Sequence, residues 1–232
     1  MLAYLRPSSQ DTLVKYQIFP YLYPMTIQFK KVSKRFGQKD IFNQLSFKIL
    51  AGEKVRLQGP SGIGKSTLFK LILGFEAVDS GEILFNGQVL TPIIVRDLRQ
   101  MVAYVPQDIN LGQAKTQAII EEIMSFRANA NLSNWSEKLP TLLEQFDLGI
   151  DILKKDFPML SGGEKQRIAI IIALLLDRKI FLLDEPTAAL DPLLKQKVIQ
   201  YLSDRTDTTL LIISHDKEWQ QLPNIRTINL VT

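Results

Sequence analysis

The chain has 232 residues, 46% apolar and 22% charged, enough to bury one core with or without an inserted lobe. A net charge of +4 without long basic runs argues against nucleic acid as a partner, and the absence of cysteine excludes disulfides and thiolate metal sites and fits a reducing compartment. The longest strongly apolar run, Ile168 to Leu176, is far short of the roughly 20 residues that cross a bilayer.

Residues 1–24 hold Pro7, Pro20, Pro24 and four tyrosines with no clear period. They are either an accessory arm or lie upstream of a true start at Met25, the second reading being preferred. From Thr26 to Val32 the pattern alternates like a half-buried strand, and Ile41 to Ile49 does so again. Lys54 to Gln58 reads as a strand ending at Gly59. A helix follows from Lys65 to Leu73, with Leu68, Leu71 and Ile72 on one face and Gly74 closing it. Gly81 to Val89 resembles a short strand pair turned at Asn86-Gly87. Met101 to Val105 is a further strand, ended by Pro106.

The stretch from about 108 to 160 carries no obvious strand, and Leu139, Leu142, Leu143 and Phe146 follow helical spacing, which predicts a helical lobe inserted into an α/β core. After it come a helix (162–176), a very apolar strand (180–183), a helix (192–202) and another apolar strand (209–213). Continuous apolar strands between helices indicate a parallel sheet covered on both faces.

Gly59-Pro60-Ser61-Gly62-Ile63-Gly64-Lys65-Ser66 fits G-x-x-x-x-G-K-[ST], with a strand before it and a helix after. In such a loop the backbone N–H groups and the helix N-terminus converge on phosphate oxygens. Lys65 would reach the β- and γ-phosphates and Ser66 would offer an oxygen to Mg²⁺. Ile180 to Leu183 delivers Asp184 and Glu185 at a strand's C-terminal end, where α/β sheets place their ligands. Asp184 would hold Mg²⁺ and Glu185 would polarise a water. Leu160-Ser161-Gly162-Gly163-Glu164, beginning 95 positions after Lys65, also contains S-x-x-E, a capping box. Capping explains the serine and glutamate. Two consecutive glycines weaken a helix, so something is expected to approach that backbone closely, and a phosphate is the obvious candidate.

Leu160 to Glu164, followed by Lys165-Gln166-Arg167, resembles the signature motif of ATP-binding cassette (ABC) ATPases. The phosphate loop and Asp184-Glu185 are similar to that family's Walker A and Walker B segments in order and spacing. The resemblance spans about Met25 to Leu230 and implies a P-loop NTPase core with a mixed, mainly parallel sheet, an antiparallel β subdomain and the helical lobe. It implies ATP and Mg²⁺ as ligands, held by Gly59 to Thr67 with Ser66, Gln107 and Asp184 at the metal. It further implies that Phe36 stacks on adenine, that Gln107 senses Mg²⁺ and the γ-phosphate, that Ala189-Leu190-Asp191 crosses to a partner, and that His215, the chain's one histidine, contacts the γ-phosphate. Lys65, Gln107, Glu185 and His215 are the catalytic set. Ile63 departs from the family in size, and Phe36 replaces the commoner tyrosine. Asp108 to Met124 lacks the family's usual wording for the transporter-facing segment.

The family pattern implies a homodimer, or paired cassettes, with two ATPs between the chains, Ser161, Gly162 and Gly163 of one facing the phosphate loop of the other. The expected role is to energise a separate membrane permease from the inner, cytoplasmic face of the membrane. A cassette powering Fe–S assembly, cell division or lipoprotein release is the alternative. The short chain looks most like small exporter-type cassettes of the metal-export kind.

Overall fold

The computed structural model describes residues 26–230, so the question of an arm or a start at 1–25 lies outside the described residues. Among the described residues nine strands form two sheets. One is antiparallel, in the order β2-β1-β4-β5, from β1 (Ile27–Phe36), β2 (Lys39–Ile49), β4 (Ser80–Phe85) and β5 (Gln88–Val89). The other runs β6-β7-β8-β3-β9, from β3 (Lys54–Gln58), β6 (Val102–Val105), β7 (Ile180–Asp184), β8 (Thr209–Ile213) and β9 (Ile225–Asn229). Every pairing in this second sheet is parallel, antiparallel pairing being confined to the first.

Strand parity shows how the parallel sheet is covered. Phe181, Leu183, Leu210 and Ile212 pack into one core with Ile120, Phe146, Ile171 and Val198. Their neighbours Ile180, Leu182, Leu211 and Ile213 pack into a second core with Phe29, Val32, Leu68 and Ile72. Successive strand residues point to opposite faces, so a run with no polar alternation is what a sheet buried on both sides requires.

The helices in chain order are α1 (Lys65–Ile72), α2 (Pro92–Met101), α3 (Thr116–Ser125), α4 (Trp135–Gln145), α5 (Gly162–Leu175) and α6 (Pro192–Ser203). Between β6 and α5 lie α3, α4 and three short 3₁₀ turns, with only an isolated bridge, Lys115 to Asp156, as extended pairing. Arg167 on α5 fastens α4 to the core by donating to the Phe146 and Asp147 carbonyls at 3.1 and 2.9 Å, where the end of a helix leaves acceptors free.

Two elements were not anticipated from the sequence. Helix α2 buries Leu98 and packs Ile94 and Met101 against the same core, a short i, i+4, i+7 face blurred by the exposed Ile93; its start is marked by Thr91, whose side chain accepts from Ile94 N at 3.4 Å, with Pro92 at the first turn. Strand β9 is an edge strand with an irregular half-buried pattern, placed by its parallel register with β3 (Lys54 opposite Ile225). Among the described residues no helix is long and apolar enough to cross a membrane.

Candidate active site

The C-terminal ends of β6, β7, β8 and β3 lie side by side in the parallel sheet, and each is followed by a residue singled out in the sequence. Gln107 follows β6, Asp184 ends β7 and leads into Glu185, His215 follows β8, and the loop Gly59 to Ser66 follows β3. A cleft of about 420 Å³ gathers Ser61, Gly62, Gly64, Lys65, Ser66 and Thr67 with Gln107, Asp184, Glu185 and His215; Ile41 and Ile213 complete it. Gly59 and Pro60 border an adjoining cavity of about 220 Å³, which shares Lys65 and His215 with the first.

The loop's shape depends on Gly64, where φ is +105° and a Cβ would collide with the Ile41 side chain. Ile63, the oversized loop residue, points inward and is buried in the core around β3. Its bulk is therefore absorbed away from the cleft. Lys65 Nζ donates to the carbonyls of Gly59 and Pro60 at 2.8 and 3.1 Å, folded back over its own loop. Lys39, from the β1–β2 hairpin, donates to the Gly62 carbonyl at 3.1 Å and braces the loop from outside.

Asp184 is 3% exposed, and burial is the main influence raising its carboxyl above the ordinary value. A hydrogen bond with Ser66 and the charge of Lys65 pull the other way, while Asp108 adds to the rise. A buried carboxylate beside a hydroxyl, facing an open cleft, is a hard-oxygen donor set short of a cation, and it fits Mg²⁺.

Glu185 has a left-handed backbone, φ +51°, which for a non-glycine residue marks a position held by its surroundings. The holders are identifiable. Its N–H donates to the Ile213 carbonyl at 2.8 Å, and its carbonyl accepts from Gln166 of α5 at 3.5 Å. Its Oε2 accepts from the His215 backbone N–H at 3.3 Å, and Oε1 lies 3.6 Å from the His215 Nε2. The imidazole itself is 68% exposed, free to meet a ligand.

Six expected site residues line neither cavity: the inward-pointing Ile63, and Phe36, Ser161, Gly162, Gly163 and Asp191. Phe36 is 44% exposed, with Lys34 Nζ 4.8 Å from its ring centroid. Asp191 caps α6, its Oδ1 accepting from Leu193 N and Leu194 N, both at 3.1 Å. Ser161 and Glu164 form both halves of the capping box, at 3.2 and 2.7 Å. The close approach expected at the glycine pair has an internal partner within the chain. A Cβ on Gly163 would lie 2.9 Å from the Ala189 carbonyl of the same chain, so an internal backbone contact already requires glycine there; at Gly162 the nearest neighbour is the Ala189 Cβ at 3.9 Å.

Sequence reading passed over Thr187, Lys195, Asp216 and Trp219, which lock together behind the cleft. Asp216, next to His215, accepts from Lys195 Nζ and Thr187 Oγ1, both at 2.6 Å, and the buried Trp219 donates to Thr187 Oγ1 at 3.2 Å. Thr187 directly follows the Glu185-Pro186 turn and was the one available hint.

The family model described as "ABC transporter" matches residues 42–188, well over half the chain. The chain belongs to the ABC transporter family. The sulfate/thiosulfate import ATP-binding protein CysA of Pectobacterium atrosepticum is 36% identical over 203 residues, covering 84% of the chain and 60% of that protein. Its counterpart in Vibrio cholerae is 37% identical over 202 residues, covering 84% and 53%. The chain thus spans between half and two thirds of the length of these relatives. Among solved structures, the ATP-binding cassette MJ0796, a dimer in a post-hydrolysis state with ADP and Pi, superposes with a TM-score of 0.75 at 27% identity, covering 88% of the chain and 94% of that cassette. A bacterial Atm1-family ABC exporter with ATP bound gives 0.76 at 26% identity, covering 91% and 39%. The likeness to exporter-type cassettes expected from the sequence is therefore shared with importers.

Proposed function

We propose that the chain binds and hydrolyses ATP as one of two cassettes closed around two nucleotides, and that this cycle drives a separate membrane-spanning permease. The observation that supports this most is the single cleft joining Lys65, Ser66, Gln107, Asp184, Glu185 and His215 at the ends of four adjacent parallel strands. In this reading residues 25–232 are the ATPase domain, and the lobe at about 108–160 meets the permease on the inner face of the membrane.

The triphosphate lies along the loop from Gly59 to Thr67, its oxygens taking N–H groups at the start of α1. Lys65 exchanges the Gly59 and Pro60 carbonyls for β- and γ-phosphate oxygens, a short swing of a long side chain. Phe36 offers its exposed face to adenine. Ser66, Asp184 and Gln107 hold Mg²⁺, which draws charge from the phosphate oxygens when bound.

Glu185 takes the proton of a water whose oxygen bonds to the γ-phosphorus in line with the departing β–γ bridging oxygen. The bond to that oxygen breaks, leaving ADP and phosphate. Its carboxylate is aimed by the His215 N–H, while the exposed imidazole contacts the γ-phosphate. Ser161 and Gly163, outside the cleft of their own chain, face the γ-phosphate of the partner's nucleotide, with Asp191 near the crossing. ATP then completes an interface that hydrolysis removes.

Glu185→Gln tests the reading, because it keeps side-chain shape and removes the base. ATP affinity should hold, hydrolysis should fall by about 100-fold or more, and size-exclusion chromatography should show an ATP-stabilised dimer. Hydrolysis at the wild-type rate would remove Glu185 from the base role. A pull-down with the same variant in ATP should recover a membrane protein, and recovery of soluble partners alone would overturn the transport role.

A further inference from the structure

Arg56 is a buried cation whose bonding partners are all neutral. It stands on β3, three residues before the phosphate loop, and is 3% exposed. Among the described residues no carboxylate lies within ion-pair reach of it. Nε and Nη2 donate to the Ser214 carbonyl at 3.1 and 3.0 Å, and Nη1 donates to Gln58 Oε1 at 3.0 Å. The Gln220 amide, with its oxygen assigned toward Arg56, accepts from Nη1 and Nη2 at 2.9 and 3.0 Å.

A guanidinium has five N–H groups, and these contacts use all of them. Nothing is left over for an anion in the adjoining 220 Å³ cavity, although Arg56 and Lys65 both line it. Arg56 is a strut, and what it supports is specific. The Ser214 carbonyl belongs to the same peptide group as the His215 N–H, which donates to Glu185 Oε2. One peptide is thus gripped from both sides, its oxygen by a cation on the phosphate-loop strand and its N–H by a carboxylate following β7. Hydrogen bonds to charged partners are the stronger kind, and burial protects both from water.

We propose that Arg56 is a positioning residue for hydrolysis: by holding the Ser214–His215 peptide against Glu185, it sets where the His215 imidazole stands relative to the phosphate loop. The kinetic part of this rests on the ATPase reading; the geometric part does not. The field of Glu185 also favours the protonated guanidinium, offsetting part of the larger effect of burial, which lowers the Arg56 pKa.

Because His215 is the one histidine of the chain, its imidazole gives a single pair of ring-proton resonances in NMR. In Arg56→Met these resonances should shift or broaden in the nucleotide-free protein, kcat should fall about tenfold, and the Kd for ATP should stay within about twofold. Arg56→Lys should recover part of kcat, since one ammonium can hold the Ser214 oxygen but cannot satisfy both glutamines. A folded Arg56→Met with unchanged resonances and kcat overturns the proposal, as does a loss confined to ATP affinity. Should Arg56→Met fail to fold, Gln220→Leu, altered at an exposed position, carries the test: displaced His215 resonances support the strut and unmoved ones overturn it. If the wild-type chain hydrolyses no ATP, the ATPase reading fails while the resonances still decide the geometry.

Discussion

The Ala189 carbonyl stands where a Cβ on Gly163 would come within 2.9 Å, so the helix that opens the glycine pair and the turn after β7 are in backbone contact within one chain. Gly162, one residue earlier, has only the Ala189 Cβ at an ordinary 3.9 Å. Alanine at these two positions should therefore behave differently. Gly162→Ala should be neutral or stabilising by up to about 1 kcal/mol, from helix propensity. Gly163→Ala should destabilise by about 1–3 kcal/mol, because backbone must move. Urea unfolding checks both. ATPase activity adds a second readout: a stable Gly162→Ala that no longer dimerises with ATP would assign that glycine to the partner's nucleotide.

Asp184 makes the nucleotide-free protein sensitive to pH. Burial raises its carboxyl above the unfolded value, near 3.8, so the folded state favours its proton. The group's contribution to stability is full below that value and is lost as pH rises through the raised one. Asp184→Asn should consequently raise the Tm of the nucleotide-free protein at neutral pH by about 2–5 °C. The gap between variant and wild type should widen as pH increases through the raised value. The same variant should lose Mg²⁺-dependent ATP hydrolysis, separating the stability of the empty site from its use.

The pair Lys195–Asp216, at 2.6 Å with side chains 16% and 18% exposed, is better shielded than the surface pairs of this chain. Lys195→Met should cost about 1–3 kcal/mol, because it strands a largely buried carboxylate with only Thr187 as a donor. Adding Asp216→Asn to it should recover part of the loss. A double-mutant cycle by urea unfolding measures the coupling, and simple additivity would show that the pair contributes nothing of its own.

Phe36 bears on nucleotide affinity alone. Phe36→Ala should weaken ATP and ADP binding by about 1–3 kcal/mol of lost stacking, while Phe36→Tyr and Phe36→Trp keep it. Isothermal titration calorimetry reads this directly. An unchanged Kd in Phe36→Ala would remove the ring from the adenine site.

Much of the fold was legible because local pattern and global environment agree in the parallel sheet. Ile180 to Leu183 and Thr209 to Ile213 are apolar at every position or nearly so, and both faces of those strands are buried. Helix α2 and strand β9 escaped because each presents only a short apolar face: Ile94, Leu98 and Met101 in α2 are blurred by the exposed Ile93, and β9 brings only Ile225 and Ile228 against the cores.

The site divides the same way. Sequence alone determined the phosphate loop, the Asp184-Glu185 pair, the capping box and the order in which they come, because each is a contiguous string whose chemistry depends on neighbours a few bonds away. Tertiary structure alone decided what surrounds them. Arg56 and Ser214 are 158 positions apart, and Thr187 and Asp216 are 29 apart. Their contacts arise because β3, β7 and β8 are neighbours in one sheet, a relation of pairing order that no local spacing encodes. For the same reason the nearness of Gly163 to Ala189 emerged only once α5 was packed beside the turn that follows β7.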